Sequence, residues 1–172
     1  MIHANPQRFP KEVHITMAYR NIILEGDPIL RKTSRPVERF DGRLHDLLDD
    51  MKETLVRANG VGLAAPQVGI LRRVVVVDIG DGPIELVNPR VIEAEGEQEG
   101  QEGCLSCPGE WGIVRRPAKI SVEAQDRHGN AFTVAGEELL AVALSHEIDH
   151  LDGRLYKDIA LRMLDPDEME EE

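Results

Sequence analysis

The nine residues Ser145-His146-Glu147-Ile148-Asp149-His150-Leu151-Asp152-Gly153 narrow what this chain can become more than any other stretch. On a helix, His146 and His150 lie one turn apart on the same face, close enough for both imidazoles to reach one cation. Glu147 falls about 100° around from His146, so it flanks such a cation rather than completing the pair. That offset suits a base acting on a water at the cation. The neighbouring residues predict the helix itself. Gly136 is an acceptable N-cap, Glu137 and Glu138 place negative charge where the dipole favours it, and Gly153 is a stop signal. Leu139, Val142, Ala143, His146 and His150 share one face, and Leu140, Leu144, Ile148 and Leu151 form a second apolar stripe. A helix apolar on two of three sides is mostly buried. A single histidine there reads as a core residue satisfied by hydrogen bonds. Two at this spacing, with an adjoining glutamate, read as ligands.

Length and charge bound the rest. A chain of 172 residues fits one domain, or one with a small appendage. We divide it into an N-terminal arm at 1–16, a single catalytic domain at 17–164 and an acidic tail at 165–172. Aromatics make up 3% of residues, so the core has to be aliphatic. The formal net charge of −12 argues against nucleic acid or an anionic membrane as the main partner. No apolar run approaches transmembrane length, the N-terminus lacks the apolar segment of a secretory signal, and two cysteines make no disulfide scaffold. These features predict a cytoplasmic protein with no membrane contact.

Along the chain, Tyr19 to Leu24 suggests a short strand before the Gly26-Asp27-Pro28 turn. Asp41 is placed to cap a helix whose apolar positions are Leu44, Leu47, Leu48, Met51, Leu55 and Val56, ending near Asn59-Gly60. His45 falls on its solvated face. Residues 60–69 are small and fit neither period; such composition permits close approach of backbone to a ligand or to another element. Arg73 to Ile79 is a buried strand, Ile84 to Val87 its return, and Asn88-Pro89 breaks it before Arg90 to Ala94 resumes. The five glutamates between Glu93 and Glu102 read as a solvated loop or strand edge. Ile120 to Ala124 and Ala131 to Ala135 alternate as a hairpin around Arg127-His128-Gly129-Asn130, with His128 exposed.

The only thiols, Cys104 and Cys107, lie in a loop flanked by glycine and proline. Cys-x-x-Cys with His-x-x-x-His makes a four-ligand structural zinc set, a closed site with no chemistry. Its weakness is that Glu147 would have no water to act on. If one cysteine binds, two imidazoles and a thiolate leave a fourth position open, and Cys107 becomes a small buried filler. A zincin-like endopeptidase is a further alternative, resting on the helix alone.

Three stretches together resemble the peptide deformylase family: Gly60-Val61-Gly62-Leu63-Ala64-Ala65-Pro66-Gln67, Glu102-Gly103-Cys104-Leu105-Ser106 and His146-Glu147-Ile148-Asp149-His150, in that family's order. The similarity runs from about Tyr19 to Leu161. It implies an α+β fold in which antiparallel β-sheets surround a central metal-binding helix. It implies that Cys104, His146 and His150 bind one divalent ion, typically Fe2+, with Zn2+, Ni2+ or Co2+ able to occupy the site. Gln67 and the backbone N–H of Leu105 would contact the formyl oxygen, Glu147 would be general base and acid, and Glu102 and Gly103 would lie beside substrate. The substrates implied are N-formylmethionyl nascent peptides, met in a transient encounter with the ribosome.

Residue chemistry agrees. Glu147 would take the water's proton and pass it to the leaving amine. The two oxyanion donors would each be worth about 3 kcal/mol of barrier. Leu139, Val142 and Ala143 precede His146 on its own face, so they would wall an aliphatic pocket suited to methionine. Val61 and Gly62 would line the channel, the glycine letting a peptide backbone run alongside. Trp111 is expected in the following loop, as rim packing. The acidic tail offers no basic helix for ribosome docking.

Overall fold

Val74-Val75-Val76-Val77 has no polar position on either side, so both faces of that strand must be covered. The computed structural model, which describes residues 18–169, shows how. The chain forms α1 (Gly42–Arg57), β1 (Gly62–Ala64), β2 (Val74–Val77), β3 (Ile84–Glu95), β4 (Gln98–Cys104), β5 (Cys107–Arg116), β6 (Lys119–Gln125), β7 (Ala131–Glu137), α2 (Glu138–Leu151) and β8 (Ala160–Met163). One antiparallel sheet runs β1-β2-β3-β6-β7 and a second runs β4-β5-β8. All four valines of β2 are fully buried. Val75 and Val77 pack with Leu144, Ile148 and Leu151 of α2, while Val74 and Val76 pack with Leu44, Leu48 and Met51 of α1. Each such side chain contributes roughly 1.5–3 kcal/mol on burial. The larger sheet therefore lies between the two helices, and the smaller sheet meets α2 from its other side through β5. This is the expected α+β arrangement.

Local chemistry explains the boundaries. The Leu44 N–H donates to Asp41 Oδ1 at 3.3 Å, so α1 starts where its cap was expected. Its apolar stripe ends at Leu55; Val56 turns outward and is 73% exposed, because the next residue lies about 100° around the helix. His45 is only partly solvated, since one ring nitrogen lies 2.8 Å from the Arg127 carbonyl oxygen. At Asn88 the strand does not break: φ is 51°, the register shifts between Val87 and Arg90, and the amide bonds to both Val37 backbone groups. The result is a bulge inside one long strand.

Several expectations are corrected. The helix α2 begins at Glu138 and not after Gly136, because Gly136 pairs with Ile120 in β7 and the strand runs straight into the helix. The stop at Gly153 holds. Its φ is 72°, and a Cβ there would fall 2.5 Å from the Arg31 carbonyl oxygen. Tyr19 to Leu24 is no strand; it docks as extended chain, with the Ile23 N–H donating to Gln67 O and the Glu25 N–H to Ser106 O, both at 2.8 Å. The stretch 60–69 contains β1 and a 3-10 turn over Ala65–Val68. Trp111 sits within β5 rather than in a loop, whereas the glutamate-rich run takes the strand-edge alternative, as the end of β3 and the edge strand β4. The tail carries a 3-10 turn at Pro166–Met169, whose Glu168 carboxylate accepts from Arg162. The expected arm at 1–16 lies outside the described residues.

Candidate active site

The hairpin joining β4 to β5 places Cys104 opposite Cys107, and α2 runs past its end. The Cys104 sulfur lies 3.4 Å from His150 Nε2. One ligand atom each from Cys104, His146 and His150 falls within 4.8 Å of the others. Cys107 does not join them; its sulfur groups instead with carboxylates of Glu25 and Glu110, and Lys157 is hydrogen-bonded to both. Cys107 is a buried filler against Val114 and Tyr156, as expected for the odd thiol. The four-ligand zinc set is therefore not assembled.

The imidazoles are prepared by their surroundings. His146 Nδ1 donates to Glu102 Oε1 at 2.8 Å, which leaves Nε2 as the nitrogen available to a cation. Its ring stacks on Tyr156, with centroids 5.9 Å apart. Burial, then the charges of His146 and Arg116, hold His150 well below the ordinary histidine range, in the neutral form a ligand needs. The Cys104 thiol is pushed up by the neighbouring Cys107 thiol, by burial and by the Glu147 carboxylate. A dication among the donors reverses that balance and stabilises the thiolate. One thiolate and two neutral imidazoles fit a divalent first-row cation.

Behind them runs a buried ionic chain. Arg116 donates through Nε and Nη2 to both oxygens of Glu102, at 2.8 and 2.9 Å, and through Nη1 to Asp149 at 2.6 Å. Arg116 and Glu102 are nearly inaccessible to solvent. Burial alone would push the Glu102 carboxyl up, but Arg116 and His146 hold it below the usual range. Glu102, expected beside substrate, does line the cavity described below, while its carboxylate is committed to these partners. Arg116 was missed in the sequence. It follows Gly112 and Val114 on the inward face of β5, and that alternation was the available signal.

Glu147 lies at 4% exposure. Burial pushes its carboxyl up to about 7, against the pull of His146 and with the Glu102 charge adding to the rise. Its Oε2 has no partner among the described residues. Across from it is Gly62, where a Cβ would stand 2.5 Å from Oε1. The glycine thus makes room for the glutamate, and it also borders the cavity described below. Gln67 is buried; its Oε1 accepts from the Ala64 N–H at 2.9 Å, and its Nε2 donates to Ser106 Oγ at 3.1 Å, 3.5 Å from the Cys104 sulfur. These residues open on a cavity of about 390 Å³. Val61, Leu139, Val142, Ala143, Leu105 and Trp111 line it, along with Gly103. Trp111 lies against Gly103, where any side chain would meet the indole at 3.0 Å.

A buried carboxylate beside one cysteine and two imidazoles, open to an apolar cavity on an antiparallel α+β frame, defines a metal-dependent hydrolase. The polypeptide deformylase family model matches residues 19–164. The chain belongs to the peptide deformylase family. It is 61% identical over 154 residues to the peptide deformylase of Acetivibrio thermocellus, covering 90% of this chain and 91% of that one. With the enzyme of Caldicellulosiruptor bescii the identity is 57% over 155 residues, covering 90% and 93%. The crystal structure of the Thermotoga maritima peptide deformylase superposes with a TM-score of 0.82 at 39% identity, covering 83% of this chain and 98% of that one. That of Legionella pneumophila gives 0.81 at 47%, covering 83% and 86%. The reaction is hydrolytic removal of the N-formyl group from nascent polypeptides, with release of formate, and it depends on a metal.

Proposed function

We propose that Cys104, His146 and His150 hold one divalent cation, ferrous iron in the cell, with zinc, nickel or cobalt able to replace it. The cation supplies Lewis acidity, making a water nucleophilic at neutral pH and polarising the scissile carbonyl. Glu147 takes the proton of that water and delivers it to the leaving amine. The unpartnered Oε2 of a buried carboxylate, beside the converging donors, is the observation that carries this assignment. Gln67 Nε2 and the Leu105 N–H donate to the formyl oxygen as charge builds on it. Leu139, Val142 and Ala143 wall the side of the cavity that takes the methionine side chain, and Val61, Gly62 and Gly103 border the peptide. Glu102 fixes the His146 ring through its carboxylate and, beside Gly103, borders the substrate cavity.

Residues 17–164 act as one catalytic unit on this reading, and residues 165–172 stand outside it. The setting is the cytoplasm, where formylated chains are made, with a transient encounter at the ribosome. Among the described residues no helix is long and apolar enough to cross a membrane.

Anaerobically purified protein loaded with iron should release formate from formyl-Met-Ala-Ser. Glu147→Gln should keep its metal and lose about 10³-fold in turnover, the middle of the range for a general base. Turnover within about tenfold of the parent in a metal-loaded variant would refute the role of Glu147.

A further inference from the structure

A second cleft opens where residues 35–39, the start of α1 and the Ile70–Arg72 turn meet. Its volume is about 980 Å³, and among the described residues its lining includes Arg20, Arg35, Arg39, Arg43 and Arg72 but no lysine. Of the 14 arginines between residues 18 and 169, ten form ion pairs with carboxylates of the described residues. The four that form none are Arg35, Arg39, Arg43 and Arg72. All four border this one cleft.

That concentration is the reverse of what the whole-chain charge of −12 leads one to expect. Against the five guanidiniums the lining sets two carboxylates, Glu38 and Asp41, and Asp50 pairs with Arg20. The local balance is cationic, and local potential rather than net charge governs where an anion settles. Arg35, Arg39, Arg43 and Arg72 are exposed, so holding them unpaired costs little desolvation. A guanidinium fork matches two oxygens of one phosphate, a geometry lysine lacks. The cleft is far larger than one phosphate ion needs, and among the described residues no aromatic side chain lines it for a base to stack on.

We infer that this cleft docks the sugar–phosphate backbone of RNA. The choice of RNA rests on the deformylase reading: a nascent chain is still attached to an RNA-built machine when its formyl group is removed. The arginines would hold the enzyme near its substrates through phosphate contacts that carry no base sequence. The contact is independent of the catalytic residues, none of which borders the cleft.

The test is fluorescence anisotropy of a labelled uridine 20-mer with the full, metal-loaded chain, titrated between about 50 and 200 mM KCl. Binding should weaken with salt. The quadruple variant R35A/R39A/R43A/R72A should bind at least about tenfold more weakly, with a log–log salt slope smaller by about 3, as four lost contacts to a single strand dictate. Formate release from formyl-Met-Ala-Ser should be unchanged in that variant, which shows that it folds and separates this inference from the assignment of the active site. Absence of binding at the lowest salt would overturn the proposal, as would equal binding by the variant. So would displacement of the RNA by millimolar inorganic phosphate, which marks a small-anion site, or by polyglutamate as readily as by unlabelled RNA, which marks an acidic protein partner.

Discussion

Gly62 and Glu147 are matched so closely that the smallest side chain at position 62 displaces the carboxylate. A Cβ there meets Glu147 Oε1, Cγ and Cδ at 2.5 to 2.9 Å. Gly62→Ala should therefore lower kcat by about 10²-fold, the cost typical of a misplacement near 1 Å, while bound metal stays stoichiometric. Full activity would show that Glu147 has slack the geometry does not suggest. The two thiols make a complementary pair of probes. Cys104→Ser should abolish metal retention on gel filtration, whereas Cys107→Ser should retain it, because its sulfur belongs to the Val114–Tyr156 cluster. Much of this residue-scale pattern was readable beforehand: helical spacing alone puts His146 and His150 on one face and Glu147 beside them. What the chain order hides is which loop glycine touches which helix residue, since Gly62 and Glu147 meet only through tertiary packing.

Elements carry the next layer. Arg116 ties β5 to Glu102 on β4 and to Asp149 on α2, so one side chain fastens the thiolate-bearing hairpin to the imidazole-bearing helix. Removing it leaves the buried Glu102 carboxylate without its guanidinium partner. Arg116→Ala should cost about 3–5 kcal/mol in urea unfolding, with Arg116→Lys recovering only part because it cannot bridge both oxygens of Glu102. A loss under about 1 kcal/mol would mean that the network is solvated. Helix α1 was legible in its cap and stripe because both signals are local. The start of α2 was not, because Gly136 satisfies the rules for a cap and for a strand alike, and pairing with Ile120 decides between them. The same holds for Trp111: its loop-like flanks, Gly109 and Gly112, conceal a strand that exists because β4 and β8 lie on either side.

At the scale of the whole molecule, acid should loosen the frame before it changes the aliphatic core. Arg127, on the β6–β7 turn, donates to Glu85 of β3 and Asp49 of α1, with Lys52 close to both carboxylates. Burial alone would raise the Glu85 carboxyl, but Arg127 and Lys52 hold it below its ordinary value of 4.5. A depressed folded pKa stabilises the native state fully above the unfolded value and loses that stabilisation as pH falls through the folded one. The urea midpoint should thus drop between about pH 5 and pH 3, and Arg127→Ala should flatten the drop by removing the cause of the Glu85 shift. An unchanged slope in the variant would assign the acid sensitivity to other carboxylates. The smaller sheet has a temporal consequence. Its sulfur-bearing hairpin gains its far neighbour, β8, only after both histidines have been made. A chain emerging from synthesis holds all three donors by residue 150, yet the edge that steadies them arrives with Met163. On this topology, the strand that closes the sheet carrying Cys104 is made after every one of the three donors.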